Sequence, residues 1–289
     1  MFTDEPTAQQ ETPLASEPAT FPEPQWSAPP PPLTTHEPDP AGPWLKLLLA
    51  IGTWFMSILL LLFVPVIVAL PYIAYLWRTR GIPKPEVLAT DKTLLFISIV
   101  GIVPAHLLTL LIVWLVATEW RRRPFWQSVK FEWPKSIGPM TGVGFSILVA
   151  LLLFALGALV TKYFGANKTD LDMLVESSLP ARFATAFVAV VTAPLVEELI
   201  YRGVLYSAIE RALGRAVGIG VVGLLFAGVH AYQYRNSISV ILVITMLSFT
   251  LTFVRAFSGK LLPSFVIHLV FNAIQSVIIV LAPFFGWGS

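Results

Sequence analysis

Seven stretches of the sequence are long enough and apolar enough to cross a membrane as α-helices. A transmembrane helix needs about 20 mostly apolar residues, because each residue advances about 1.5 Å through a hydrocarbon core about 30 Å thick. A count of six to eight spans fits the pattern, and seven fits best. The sequence therefore predicts an all-α fold, a polytopic transmembrane helix bundle. The predicted spans are residues 47–77, 93–118, 137–160, 183–206, 217–232, 237–257 and 262–284.

The composition excludes a single water-soluble domain. Apolar residues make up 56% of the chain and charged residues 12%, whereas soluble domains have about 45–50% and about 25%. The chain has no cysteine, which rules out disulfides, thiolate metal sites and cysteine nucleophiles. Its basic residues follow the predicted spans rather than forming a stripe with exposed aromatic residues. We therefore expect contacts with membrane lipid and no nucleic-acid binding.

The N-terminal segment differs from the rest of the chain. Residues 1–45 contain 12 of the 24 prolines and seven of the 17 acidic residues, but no lysine or arginine. We predict that residues 1–43 form a disordered, proline-rich acidic tail, whose partner the sequence does not identify. Residues 44–160 would then be N-terminal transmembrane helices and residues 161–289 a catalytic transmembrane core. Loop lysines and arginines weakly favour a cytoplasmic tail on a multi-pass protein of the cell membrane.

Charged side chains interrupt the predicted fourth span. A charge at the centre of a membrane helix costs about 2.5–3.5 kcal/mol, so such residues are functional candidates by default. Glu198 and Arg202 lie four residues apart and can pair on one helix face. Glu197 lies about 100° around the helix, so it can point elsewhere as a free carboxylate. The alternative is a helix end that emerges into water with a solvated salt bridge.

Polar residues also occur in the fifth and seventh spans, in pairs one helical turn apart. Phe226 precedes His230 by four residues, and His268 precedes Asn272 by four, so each pair shares a helix face. Polar groups are costly in hydrocarbon unless they meet partners. The alternative for each is a simple hydrogen bond between helices, which we predict for His106 in the second span. Small residues in the fifth span would allow a neighbouring helix to approach closely; they are Gly220, Gly223 and Gly228.

If these side chains converge, they have the chemistry to hydrolyse an amide bond. Glu197 and His230 can take a proton from water, while His268 and Asn272 can donate hydrogen bonds to an oxyanion. A second interpretation places a metal, with zinc the candidate, between Glu197, His230 and His268. The sequence does not decide between these interpretations and favours the metal-free one only slightly.

The three motifs resemble those of the CPBP family of intramembrane proteases, also called the Abi family, which includes CAAX prenyl proteases and bacteriocin-processing enzymes. In that family E-E-x-x-x-R, F-x-x-x-H and H-x-x-x-N lie on separate membrane helices in this order. The resemblance implies catalytic roles for some motif residues and supporting roles for others. The catalytic residues would be Glu197, His230, His268 and Asn272, and the supporting residues Glu198, Arg202 and Phe226.

The expected function is therefore hydrolysis of a peptide bond in a membrane-associated protein or peptide. The enzyme would be a CAAX-type intramembrane protease, a hydrolase of the metalloendopeptidase type whose metal dependence stays open. The alternative is a non-proteolytic membrane scaffold or a bacteriocin-immunity-type protein with the same fold.

Overall fold

A computed structural model of the protein describes Met1 and residues 42–82, 84–165 and 167–285. The described residues form helices joined by short connections, and they contain no β-strand. The predicted tail lies outside the described residues except for Met1, Gly42 and Pro43. The helices are α1 (Pro43–Arg80), α2 (Pro85–Thr90), α3 (Lys92–Val100), α4 (Ile102–Ala117), α5 (Phe125–Ser128), α6 (Pro139–Phe164), α7 (Asp170–Ser177), α8 (Leu179–Phe187), α9 (Ala193–Glu198), α10 (Tyr206–Leu213), α11 (Arg215–Gln233), α12 (Ile238–Ser258) and α13 (Leu262–Phe285).

Seven helical segments in the described part of the chain have the length and apolar composition of membrane spans. This confirms the prediction of an all-α, multi-pass membrane protein. The second span combines α3 and α4, and the fourth runs from α8 to α10. The spans are Pro43–Arg80, Lys92–Ala117, Pro139–Phe164, Leu179–Leu213, Arg215–Gln233, Ile238–Ser258 and Leu262–Leu281.

The first two spans pack closely at a proline and a glycine. Helix α1 continues through Pro65 and Pro71 for 38 residues, about 57 Å at 1.5 Å per residue, so it exceeds the thickness of an untilted span. Gly101 separates α3 from α4 and faces α1. A side chain at Gly101 would place its Cβ atom 2.7 Å from the Cα atom of Pro65. Glycine therefore permits the contact between the first and second spans.

The fourth span is the one that departs most from a regular helix. Two π-helical turns interrupt it, Val188–Thr192 before α9 and Leu199–Leu205 after it. The glutamate pair lies at the end of α9, between the two turns. Side chains of this span also form much of the buried core, together with residues of α1, α4 and α11. The irregular part of the span is thus fixed inside the bundle.

Seven spans place the connecting segments alternately on two faces of the bundle. Residues 118–138 and 259–261 lie on the face where α1 begins, and residues 84–91 and 167–178 lie on the opposite face. Helix α7 lies on that opposite face. An ion pair of 2.9 Å between Asp170 of α7 and Arg235 links it to the end of α11.

Candidate active site

Pro194 disrupts the backbone hydrogen bonds three residues before the glutamate pair. Proline has no N–H group, so it cannot donate to a carbonyl in the preceding turn. The N–H of Ala193 bonds instead to the carbonyl of Val188, five residues back. The carbonyl of Ala189 therefore receives no backbone hydrogen bond from Ala193 or Pro194. Asn272 of α13 supplies a side-chain donor, because its Nδ2 atom donates to the Ala189 oxygen at 2.9 Å.

Glu198 and Arg202 form a buried ion pair, as their spacing predicts. Arg202 Nη1 lies 3.1 Å from Glu198 Oε1, and both side chains are 0% exposed. Arg202 also donates to Thr252 Oγ1 at 3.3 Å and to the Ser248 carbonyl at 3.1 Å. Its guanidinium carbon lies 4.5 Å from the centre of the Phe226 ring. These contacts offset the desolvation of the two charges, and they leave Glu198 committed to the pair.

Glu197 faces away from Arg202 and toward two histidines. Its Oε1 atom lies 4.0 Å from His230 Nε2, and its Oε2 atom lies 3.6 Å from His268 Nε2. The Glu197 side chain is 22% exposed, unlike that of Glu198. The structure thus brings the polar groups of the fourth, fifth and seventh spans together. Of the two adjacent carboxylates, Glu197 is the one that is not fully buried by the protein.

The orientation of His230 is fixed by its own helix. His230 Nδ1 lies 2.8 Å from the carbonyl oxygen of Phe226, one turn earlier. A carbonyl oxygen only accepts, so Nδ1 must carry the hydrogen. The imidazole also stacks on the Phe226 ring, with centroids 4.5 Å apart. In the neutral imidazole, Nε2 therefore presents its lone pair to Glu197.

His268 lies between the two glutamates. Its Nδ1 atom is 3.1 Å from Glu198 Oε1, to which it donates, while its Nε2 atom faces Glu197. The ring is 2% exposed and meets the Phe226 ring edge to face at 5.9 Å. Arg202, Glu198 and His268 thus form a continuous buried chain that ends at Glu197.

Two further polar residues, His106 and Tyr234, lie near the site. His106 Nδ1 lies 2.8 Å from Thr192 Oγ1 in the first π-turn, so it makes the interhelical bond predicted for it. Tyr234 lies outside the three motifs, although it follows His230 by four residues. Burial and the charges of Glu197 and Asp172 raise the pKa of Tyr234 to about 12. Its hydroxyl group therefore stays protonated at neutral pH and can act as a donor.

The distances in this cluster are longer than those of a zinc site. Zinc ligands lie about 2.0–2.2 Å from the ion, so two ligand atoms of one ion lie within about 3.5 Å of each other. The nitrogens of His268 and His230 lie 3.6 Å and 4.0 Å from different oxygens of Glu197. Among the described residues, no group of three or more His, Asp or Glu side chains is arranged to hold a metal ion. The residues as placed do not fit the expected zinc set.

The comparison with known protein families bears directly on this cluster. Residues 179–274 match the family model described as "Type II CAAX prenyl endopeptidase Rce1-like". This segment is similar to the Rce1-like family. It covers a third of the chain and includes all three motifs and both π-turns. No curated protein and no solved structure matches the chain.

The Rce1-like match confirms the resemblance to the CAAX proteases. It supports a membrane protease as the general function. The matched segment contains the fourth, fifth and sixth spans and about the first two thirds of the seventh. The first three spans lie outside it.

Proposed function

We propose that the protein is an intramembrane endopeptidase of the CAAX type, which hydrolyses a peptide bond of a membrane-associated protein or peptide. The main support is the unequal setting of the two glutamates. Glu198 is buried against Arg202 at 3.1 Å, whereas Glu197 is partly exposed and faces two histidine nitrogens. One carboxylate is thus available for chemistry, and the other holds the surrounding side chains.

Glu197 would act as the general base, with His230 as its partner. Glu197 Oε1 and His230 Nε2 are both acceptors and lie 4.0 Å apart. A water molecule that donates one hydrogen to each would have an oxygen lone pair directed away from both. That lone pair would attack the carbonyl carbon of the substrate. No serine or cysteine nucleophile is needed, because water attacks directly.

The later steps would use the same carboxylate and the donors of the seventh span. When the water oxygen bonds to the carbonyl carbon, its proton passes to Glu197 and negative charge develops on the carbonyl oxygen. Asn272 would donate the second hydrogen of its Nδ2 atom to that oxygen, the first being bound to the Ala189 carbonyl. His268 would donate from Nε2 in its imidazolium form, because its Nδ1 hydrogen is bound to Glu198. When the C–N bond breaks, the proton passes from Glu197 to the leaving amine nitrogen. The products are one new carboxyl terminus and one new amino terminus.

The proposed substrate approaches from the membrane or its surface. His230 lies in the last turn of α11, close to the face opposite the start of α1. We place the protein in the cell membrane and expect lipid around its apolar surface.

The alternative function is a scaffold or immunity protein in which the same contacts only join helices. The interhelical bonds of His106 and Asn272 are the observations that favour it.

The test is peptide cleavage by the purified, full-length protein in lipid nanodiscs. The probe is a fluorogenic farnesylated peptide with a C-terminal CAAX sequence, chosen because the matched family is named for such substrates. Glu197→Gln and His230→Ala are each expected to lower kcat about 100-fold or more, since general acid–base catalysis contributes about 10²–10⁴-fold. Their melting temperatures should match that of the wild type.

The matched control is Glu86→Gln, which makes the same chemical change at an exposed site on α2. It should retain full activity, and cleavage should persist in 1,10-phenanthroline if no metal takes part. Full activity in both Glu197→Gln and His230→Ala would contradict the proposal. Unchanged biological function combined with lower melting temperatures would favour the scaffold instead.

A further inference from the structure

Arg255 is a buried cation that none of the three motifs includes. It lies in the last turn of α12, and its side chain is 2% exposed. An arginine near the end of a membrane helix usually extends toward the aqueous interface. The Arg255 side chain instead points into the bundle, which is costly for a charge unless it meets specific partners.

The principal partner of Arg255 is a backbone carbonyl of the second π-turn. The N–H of Tyr206 bonds to the carbonyl of Tyr201, five residues back, rather than to that of Arg202. The Arg202 carbonyl is therefore without its regular α-helical donor, and Arg255 Nε donates to it at 3.2 Å. Arg255 Nη2 also donates to Ser207 Oγ at 3.0 Å.

The two π-turns on either side of α9 are thus held in the same way. Asn272 of α13 donates to the Ala189 carbonyl in the first turn, and Arg255 of α12 donates to the Arg202 carbonyl in the second. Each donor comes from a neighbouring span and binds a carbonyl whose usual partner is used elsewhere. Side chains from two other helices therefore fix both ends of the segment that carries Glu197.

Arg255 is linked to Glu197 through Arg202, Glu198 and His268. It fixes the backbone of Arg202, whose guanidinium group binds Glu198 at 3.1 Å. Glu198 accepts from His268 Nδ1 at 3.1 Å, and His268 Nε2 lies 3.6 Å from Glu197. A shift in the second π-turn would move this chain of side chains.

We propose that Arg255 is a positioning residue of the site, which holds the second π-turn by its bond to the Arg202 carbonyl and so sets the geometry of Glu198, His268 and Glu197. Its consequence for catalysis rests on the proposed protease function. The inference that Arg255 holds the second π-turn does not depend on that function. Arg255 touches neither Glu197 nor His230 and takes no part in proton transfer.

The test compares three variants of the full-length protein in nanodiscs. Arg255→Lys keeps the charge but replaces the two-pronged donor with a single ammonium group, and Arg255→Gln removes the charge. Ser207→Ala is the matched control, because it removes the second contact of Arg255 and leaves the bond to the Arg202 carbonyl. Hydrogen–deuterium exchange is measured in peptides that cover residues 199–206 and, for comparison, residues 215–223.

Both Arg255 variants should exchange faster at residues 199–206 and at the wild-type rate at residues 215–223, and Ser207→Ala should match the wild type in both. With the farnesylated CAAX probe, kcat should fall about 10- to 100-fold while KM stays within about twofold, since small misplacements in a site can cost about 100-fold. Arg255→Lys should recover part of the loss seen in Arg255→Gln.

Unchanged exchange at residues 199–206 in both Arg255 variants would overturn the proposal whatever the activity. Faster exchange with unchanged kcat would overturn the positioning role, as would an equal loss of activity in Ser207→Ala. If the wild type cleaves no probe, the protease proposal fails by itself. The exchange data then still decide whether Arg255 holds the π-turn.

Discussion

At the scale of single residues, two adjacent glutamates have opposite settings. Glu198 is fully buried and bound by Arg202 and His268, whereas Glu197 is partly exposed and faces two histidines. The difference follows from helix geometry, because consecutive residues project about 100° apart. One carboxylate then stabilises the folded protein, and we assign the catalytic work to the other.

Replacement of Glu198 tests this division directly. Glu198→Gln keeps the shape of the side chain but leaves Arg202 as an unpaired buried charge. We expect it to lower the free energy of unfolding by about 3–5 kcal/mol, the usual effect of breaking a buried pair. Thermal unfolding in nanodiscs measures the change, and Glu197→Gln is the control.

Glu197→Gln removes a partly exposed carboxylate that pairs with no arginine or lysine among the described residues, so its unfolding should resemble that of the wild type. Equal stability of the two variants would contradict the assigned roles.

At the scale of helices, the close packing of α11 against α12 positions Ser248, which binds Arg202. Ser248 of α12 donates to the Gly223 carbonyl at 3.0 Å and accepts from Arg202 Nη2 at 3.3 Å. A Cβ atom at Gly223 would lie 2.7 Å from the Phe249 ring. Because Gly223 has no side chain, α11 and α12 lie close enough for Ser248 to bond to both the Gly223 carbonyl and Arg202.

Two glycines of α11 give a matched test of this contact. Gly223→Ala should push the two helices apart and cost about 1–3 kcal/mol of stability, as overpacking does. Gly220→Ala meets no atom within 4 Å, and alanine is the better helix former by about 1 kcal/mol. Melting temperatures should fall for Gly223→Ala and hold or rise for Gly220→Ala. Equal shifts would contradict the close approach at Gly223.

Part of this site could be predicted from sequence, because it depends on helical periodicity. The Glu198–Arg202 pair, the stacking of His230 on Phe226 and the His106 bond each follow from spacing or from the cost of a polar group in lipid. The π-turns do not, since Pro194 predicts only a break in the helix. The contacts of Asn272 and Arg255 depend on which carbonyls those turns deprive of their regular α-helical donors.

The glycines of α11 show the same limit. Three of its four glycines, Gly220, Gly223 and Gly228, are predicted to permit close packing. No neighbouring atom, however, lies within 4 Å of a side chain placed at Gly220 or Gly228. Gly223 differs because it faces Phe249 of α12. Sequence spacing identifies small residues, but it does not show which of them meets a neighbouring helix.

At the scale of the whole molecule, seven spans put the start of α1 and the end of α11 on opposite faces of the membrane. The site near His230 therefore lies toward the face opposite the start of α1. With a cytoplasmic tail, as the loop charges weakly favour, substrates would reach the site from outside the cytoplasm.

The chain contains no cysteine, so single cysteines can report the orientation without background labelling. Lys84 and Lys168 are exposed on one face, and Arg122 is exposed on the other. With a cytoplasmic tail, Lys84→Cys and Lys168→Cys should react with an impermeant maleimide in intact cells. Arg122→Cys should react only after permeabilisation.

The reverse labelling pattern would invert the orientation. Labelling of Lys84→Cys and Lys168→Cys from different sides would contradict the seven-span arrangement.

The most direct test of the central claim, that Glu197 makes this protein a peptidase, is membrane proteomics of cells that carry either the wild type or Glu197→Gln. The account predicts that at least one membrane-associated protein accumulates uncut in the Glu197→Gln cells and appears as its cleaved form with the wild type. Identical sets of protein termini in the two membranes, at equal levels of the two folded proteins, would contradict it.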